Sequence, residues 1–289
     1  MCPVGDTPAF LYGTAWKEER TTALVEAAIQ QGFRGIDTAN QRKHYFEVAV
    51  GKAISNQIEN GAVSRDDLFI QTKFTHRNGQ DHRLPYDADA AVSKQVQQSF
   101  AKSLEHLQTD SIDSFVLHGP SQRVGLAAQD WEAWFAMEEV YERGAVGVLG
   151  VSNFSAEQLE TLLDKAGVRP SFVQNRCFAA VGWDWQVRRI CEENDIIYQG
   201  FSLLTANRQV WASGQVAAIA KLHQITPAQV IFCLALELDM LPLTGTSDAA
   251  HMGDNLACSR GILKPEEVQQ LETIASDVKQ HSKSDINRT

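Results

Sequence analysis

Three residues of acid–base type stand at the ends of short apolar runs: Asp37, Lys73 and His118. Taken singly, each has an ordinary reading. Asp37 is a helix cap, Lys73 a surface charge and His118 a half-buried histidine with a satisfied ring. Together, a carboxylate, an ammonium and an imidazole at three successive strand ends make a set able to hold and pass protons. An interior of branched apolar residues would not select them for packing. The other runs also end in polar groups. The first leads into Gly13, Thr14, Ala15, Trp16 and Lys17, and the fifth into Ser152 and Asn153. The sixth leads into Gln174 and Asn175, the seventh into Phe201 and Ser202, and the eighth into Gly245, Thr246 and Ser247.

The elements that must carry these residues follow from hydrophobic periodicity. Apolar runs at 10–12, 35–36, 68–71, 112–117, 146–151, 172–173, 196–199 and 240–243 read as strands. Helical period predicts helices over 21–31, 46–57, 88–107, 131–143, 156–166, 187–194, 215–222, 227–237 and 265–277. Gly144 is placed to cap a helix C-terminus, and Ser155 with Gln158 has capping-box spacing. Pro227 and Pro265 suit a first helical turn. Eight strand–helix units in 289 residues predict an α/β fold, a (β/α)8 TIM barrel, with its functional groups at the C-terminal strand ends. An open doubly wound sheet fits the count less well, and no GxGxxG follows any strand. One barrel domain is expected over 1–277, then a loose polar tail over 278–289. The long polar segment 75–87 reads as part of a lid.

Composition narrows the function classes. Hydrophobic residues are 44% and charged residues 21%, which excludes disorder for most of the chain. With 26 Lys+Arg against 36 Asp+Glu, the net charge is −10, the wrong sign for binding a nucleic-acid backbone. No apolar run is long enough to cross a membrane, and residues 1–10 lack the pattern of a signal peptide. The five cysteines are scattered without metal-ligand spacing. A cytoplasmic protein with reduced thiols and no metal is expected, as a monomer or weak homo-oligomer.

Several segments resemble the aldo-keto reductase family. Residues 32–54 (GFRGIDTANQRKHYFEVAVGKAI) resemble its first signature, and 111–120 (SIDSFVLHGP) its fourth-strand motif. Residues 147–154 (GVLGVSNF) are the most specific match. Residues 169–176, 196–204 and 243–256 are similar to the later motifs, all in the right order. The resemblance implies reversible hydride transfer between a nicotinamide nucleotide and a small-molecule aldehyde or ketone. It makes Asp37, Lys73 and His118 partners of a catalytic tyrosine. A free phenol titrates near ~10, and an adjacent ammonium favours the phenolate.

The tyrosine is where the chain departs from the pattern. The family places it five residues after the Asp and three before a Glu. Here position five is Arg42, and the Asp37-to-Glu47 spacing is two residues longer than usual. Tyr45 is the only phenol of this loop and takes the proton-donor role, with its neighbour His44 as competitor.

The resemblance also assigns a cofactor site. Ser152, Asn153 and Gln174 would hold the nicotinamide carboxamide, and Phe201 would stack on the ring. Ser202 and Leu204 would follow the pyrophosphate, and Thr14 would contact the cofactor. Thr246, Ser247 and Asp248 would lead into a helix whose free N–H groups bind phosphate. Gly245 and His251 occupy positions where many members carry Lys and Arg for the 2′-phosphate, and Asn255 matches an adenine contact. Residues 244–255 contain no Lys or Arg. The resemblance implies NADPH, and the missing Lys and Arg leave NADH open. The substrate pocket would include Trp16, His44 and Phe178, with Trp131, Trp183 and Trp185 near the same rim. Gly119, where many members carry Trp, would widen the site. Trp134 and Trp211 read as packing residues. Two other classes stay open: a reductase-like regulatory subunit that binds nucleotide, and a Schiff-base lyase using Lys73.

Overall fold

The computed structural model describes residues 7–274. Its elements alternate strand and helix: β1 (Leu11–Gly13), α1 (Thr21–Gln31), β2 (Gly35–Asp37), α2 (Glu47–Glu59), β3 (Phe69–Phe74) and α3 (Val92–Leu107). Then come β4 (Ile112–Leu117), α4 (Ala128–Glu142), β5 (Val146–Ser152), α5 (Ala156–Lys165), β6 (Phe172–Arg176) and α6 (Trp185–Glu193). They are followed by β7 (Ile197–Phe201), α7 (Arg208–Trp211), α8 (Gly214–His223), α9 (Pro227–Glu237), β8 (Met240–Thr244) and α10 (Ala249–Leu256). A last helical stretch covers residues 265–274. The expected tail, 278–289, lies outside the described residues, as does Cys2.

The eight strands pair in chain order and close into a barrel. Every pairing is parallel, and Leu11↔Leu243 with Tyr12↔Thr244 joins the first strand to the last. This is the (β/α)8 barrel that the sequence predicts. Its apolar core lies in two places. Leu11, Phe69, Phe172 and Leu241 plug the barrel interior. A much larger shell fills the space between strands and helices. In that shell Gly51 of α2 lies so near α3 that a Cβ there would be 2.0 Å from the His106 carbonyl oxygen.

Caps set several helix ends as the sequence predicts. Ser155 Oγ accepts from Gln158 N at 3.2 Å, and Gln158 Oε1 accepts from Ser155 N at 3.0 Å. Gly144 closes the turn after α4 at φ 71°, the left-handed region open to glycine. Other boundaries differ from expectation. Helix α4 begins at Ala128, three residues earlier than read, because Asp130 accepts from the Ala127 and Ser121 N–H groups. Helix α3 begins four residues later than read, because Asp87 takes the Asp89 N–H in a turn. Helix α7 was too short for periodicity to find.

The segment 75–87, expected as part of a lid, is tethered in this structure. Gln41 Nε2 donates to the Gly79 carbonyl, Gln80 Nε2 to the Asn40 carbonyl and the Tyr86 hydroxyl to the Thr75 carbonyl. The first two bonds hold it against the loop after β2, and the third closes the segment on itself. Among the described residues no single helix is long and apolar enough to cross a membrane. Helices α8 and α9 together reach that length but meet at 85°, and α9 is packed in the outer core.

Candidate active site

Strands β2 and β3 bring Asp37 and Lys73 together at the C-terminal end of the barrel. Lys73 Nζ lies 2.6 Å from Asp37 Oδ1 and donates to the Thr38 carbonyl at 2.8 Å. Both residues are almost completely buried. Burial lowers the Lys73 ammonium from the ordinary lysine value, while the charges of Asp37 and Glu47 pull it back up. Glu47 is itself buried, accepting from Thr72, Ser103 and His106.

Tyr45 covers this pair. Lys73 Nζ is 5.2 Å from the Tyr45 ring centroid, and the ring meets His118 edge-on at 5.8 Å. Among the described residues the Tyr45 hydroxyl has no hydrogen-bond partner, and the side chain lines a cleft of about 960 Å³. Burial, and after it the Asp37 charge, raise the Tyr45 phenol above its usual value. This reverses the expected direction: desolvation of the phenolate outweighs the nearby ammonium, so the phenol holds its proton. His118 lines the same cleft, and its Nδ1 is 2.7 Å from Thr75 Oγ1. Burial lowers His118 well below the usual histidine value, with Lys73 and His44 adding to the effect. The imidazole is therefore neutral at physiological pH. His44 stands one step outward, its ring 4.0 Å from that of Trp16. The Trp16 N–H donates to the His44 carbonyl at 2.7 Å, so the two loops form one wall.

Beneath these residues lies a belt of amides, of which only Gln174 stood out in the sequence. Gln71 and Gln199, on strands β3 and β7, exchange hydrogen bonds of 2.8 and 3.0 Å across the barrel. Ser114 Oγ donates to Gln71 Oε1. Gln71 Nε2 donates to Asp37 Oδ1 at 2.7 Å and Gln174 Nε2 donates to it at 3.0 Å. Gln174 Nε2 also donates to Gln199 Oε1 at 2.9 Å. The amide hydrogens of Gln174 thus point into the barrel. Gln71 and Gln199 looked like isolated polar residues in apolar runs; barrel closure joins them to Gln174 and Asp37.

The cleft runs from Tyr45 and His118 past the ends of β5 to β8. Ser152, Asn153, Gln174, Phe201, Ser202 and Leu204 line one part. Gly245, Thr246, Ser247, His251 and Asn255 line another. Asn153 Nδ2 donates to the His118 carbonyl at 2.8 Å. Asn255 Nδ2 donates to Thr244 Oγ1 at 2.9 Å. Thr14 is fully buried, with Oγ1 donating to the Asp37 carbonyl, and does not reach the cleft wall. Phe178 faces a neighbouring groove instead.

Three features differ from expectation. The first turn of α10 does not present free N–H groups throughout: Asp248 Oδ1 accepts from Ala250 and His251 N–H at 2.8 and 3.1 Å. The cleft is not without cations, because Lys17 and Arg20 line it from the loop after β1. Lys17 Nζ donates to the Gly245 carbonyl at 2.8 Å, and burial lowers the ammonium to about 8. The tryptophans also exchange roles. Trp211 lines the cleft with an Nε1 lacking a hydrogen-bond partner, whereas Trp183 is buried and donates to the Leu271 carbonyl. Trp131 packs against Phe135.

Comparison with known proteins agrees with this geometry. The family model described as "Aldo/keto reductase family" matches residues 9–276. The NAD(P)H-dependent 6'-deoxychalcone synthase of Glycine max is 30% identical, over 88% of this chain and 79% of that one. An aldo/keto reductase structure from Brucella melitensis superimposes with TM-score 0.77 at 26% identity, covering 92% of this chain and 94% of that one. A Bombyx mori aldo-keto reductase solved in complex with NADP shares the fold at TM-score 0.78 and 22% identity, covering 92% and 89%. The match runs through both the barrel and the cleft, and the chain belongs to the aldo/keto reductase family.

Proposed function

We propose that this protein is a carbonyl reductase that transfers a hydride from NADPH, with NADH as an alternative donor, to an aldehyde or ketone. The observation that carries this reading is the meeting of Tyr45, His118 and the Asp37–Lys73 pair at one end of a long cleft. The rest of the cleft suits a dinucleotide. Hydroxyl and amide groups of Ser152, Asn153 and Gln174 face one end beside the Phe201 ring, and Lys17 and Arg20 supply cationic groups farther along, with the His251 ring on the same wall.

When bound, the nicotinamide supplies the hydride. The chain's own residues do the remainder. Tyr45, held as a neutral phenol, donates its proton to the developing alkoxide oxygen. Lys73 stabilises the phenolate left behind, and Asp37 keeps that ammonium charged in a dry site. The Thr75 hydroxyl donates to His118 Nδ1, which leaves Nε2–H to orient the carbonyl oxygen. Such acid assistance is worth about 10²–10⁴-fold. Trp16 and His44 wall the substrate side. Gln174, its N–H groups committed inward, offers its carbonyl oxygen to the carboxamide.

The lyase reading loses support from the same geometry. Lys73 does not line the cleft, and its Nζ is engaged by Asp37 and the Thr38 carbonyl. A cytoplasmic setting fits the free thiols of Cys177, Cys191, Cys233 and Cys258. The test is titration of tryptophan fluorescence with NADPH and NADH, followed by aldehyde reduction assays. Saturable quenching with turnover is expected. No binding of either nucleotide overturns the reading, and binding without turnover marks a regulatory subunit.

A further inference from the structure

A second cavity, of about 590 Å³, lies beside the cleft against the loops that follow β4, β5 and β6. Asn153 and Arg176 belong to both walls, so the two spaces adjoin there. Gly119, directly after His118, is on the wall of the second. A Cβ on Gly119 would come no nearer than 3.6 Å to any neighbour. Its φ also lies outside the left-handed region. Neither packing nor backbone geometry demands glycine at this position. Its effect is to leave room next to the carbonyl-orienting histidine.

The charges on this wall are unusual for so acidic a chain. Arg123 and Arg176 both line it. Among the described residues neither guanidinium forms an ion pair with a carboxylate, although other arginines do. Arg176 instead lies 5.8 Å from the Phe178 ring centroid. Asp184 is the wall's carboxylate, and its Oδ2 already accepts from Asn175 Nδ2 and the Tyr198 hydroxyl, each at 2.9 Å. Two arginines against one occupied carboxylate leave the wall positive, on a chain of net charge −10.

We propose that this groove is a carboxylate subsite and that the preferred substrates are aldehydes or ketones bearing a carboxylate. The carbonyl sits at Tyr45 and His118, the chain passes Gly119 and Asn153, and the carboxylate meets Arg123 and Arg176. Guanidinium groups suit this task because they bind a carboxylate through paired N–H donors. The proposal rests on the carbonyl-reductase reading.

The experiment compares ω-oxo-alkanoates of increasing length with the matching n-alkanals, measuring kcat and KM with NADPH. In wild type, kcat/KM for the best oxo-acid exceeds that of its alkanal by about tenfold or more, through KM, as two charge-assisted contacts allow. The ratio falls toward one in Arg123→Met/Arg176→Met and declines as salt is raised. Gly119→Trp lowers the same ratio by filling the groove, which checks the double variant independently. Alkanal turnover without preference for oxo-acids, or a ratio unchanged in both variants, overturns the subsite alone. No turnover of either series with either nucleotide overturns the reductase reading and the subsite with it.

Discussion

In the proposed reaction, Tyr45, His118 and Lys73 would divide the acid–base work by environment. Burial raises Tyr45 and lowers both His118 and Lys73, in each case favouring the neutral form. A phenol that keeps its proton is ready for carbonyl reduction and poorly poised for alcohol oxidation. Reduction is therefore expected to hold a flat kcat from pH 6 to 9. Alcohol oxidation should climb with pH by up to about tenfold per unit while phenolate formation limits it. Equal flatness in both directions would exclude Tyr45 as the titrating group. In the proposed arrangement the Thr75 hydroxyl donates to His118 Nδ1, and Thr75→Val would remove that donor and let the other tautomer form. We expect a kcat loss of about tenfold with nucleotide affinity unchanged. An unaltered kcat would mean that the hydroxyl does not set the tautomer. The residue types at this site were legible because they interrupt apolar runs. Thr75 was not, because a threonine after a strand has no distinctive pattern.

At the level of elements, strand ends decide the site. Strands β3, β5, β6, β7 and β8 each extend one to three residues beyond the apolar runs, into Phe74, Ser152, Arg176, Phe201 and Thr244. Sequence reading stops at the first polar residue, whereas pairing continues while neighbouring strands offer backbone partners. Polar residues that look like the start of a loop are thus strand residues facing the cleft. Gln71 and Gln199 were inside the strands read from the sequence, but their partners lie across the barrel and have no mark in the chain order. The longer loop after Asp37 was visible by counting, but only geometry shows Tyr45 over Lys73 and His44 stacked on Trp16. Helix packing beneath the site is tight at Gly51. Gly51→Ala forces α2 from α3 and should destabilise the fold by about 1–3 kcal/mol, read by urea denaturation. Unchanged stability would show that the two helices can separate freely.

The whole molecule is organised around the seam where β1 meets β8. Lys17 reaches across it to the Gly245 carbonyl, and the Tyr12 hydroxyl reaches the Thr246 carbonyl at 3.0 Å. Part of the cleft opens over this seam, so an ammonium from the start of the chain serves a segment near its end. Composition alone could not show this, since residues 244–255 contain no Lys or Arg. Lys17 has its ammonium lowered to about 8 by burial. Below that pH it is charged and attracts a phosphate, and above it the charge is lost. Nucleotide Kd should therefore rise as pH passes 8, and Lys17→Met should bind more weakly with that pH dependence removed. A variant that retains the wild-type pH profile would assign the titration elsewhere.

Tyr45 is, on the proposed function, the proton donor of a carbonyl reductase. Its most direct test follows absorbance at 340 nm during NADPH-dependent reduction of an aldehyde by wild type, Tyr45→Phe and His44→Ala, with nucleotide affinity measured on each. That role predicts a kcat loss of about 10²–10⁴-fold in Tyr45→Phe, with NADPH still bound, and a much smaller effect in His44→Ala. Full turnover by Tyr45→Phe would contradict it.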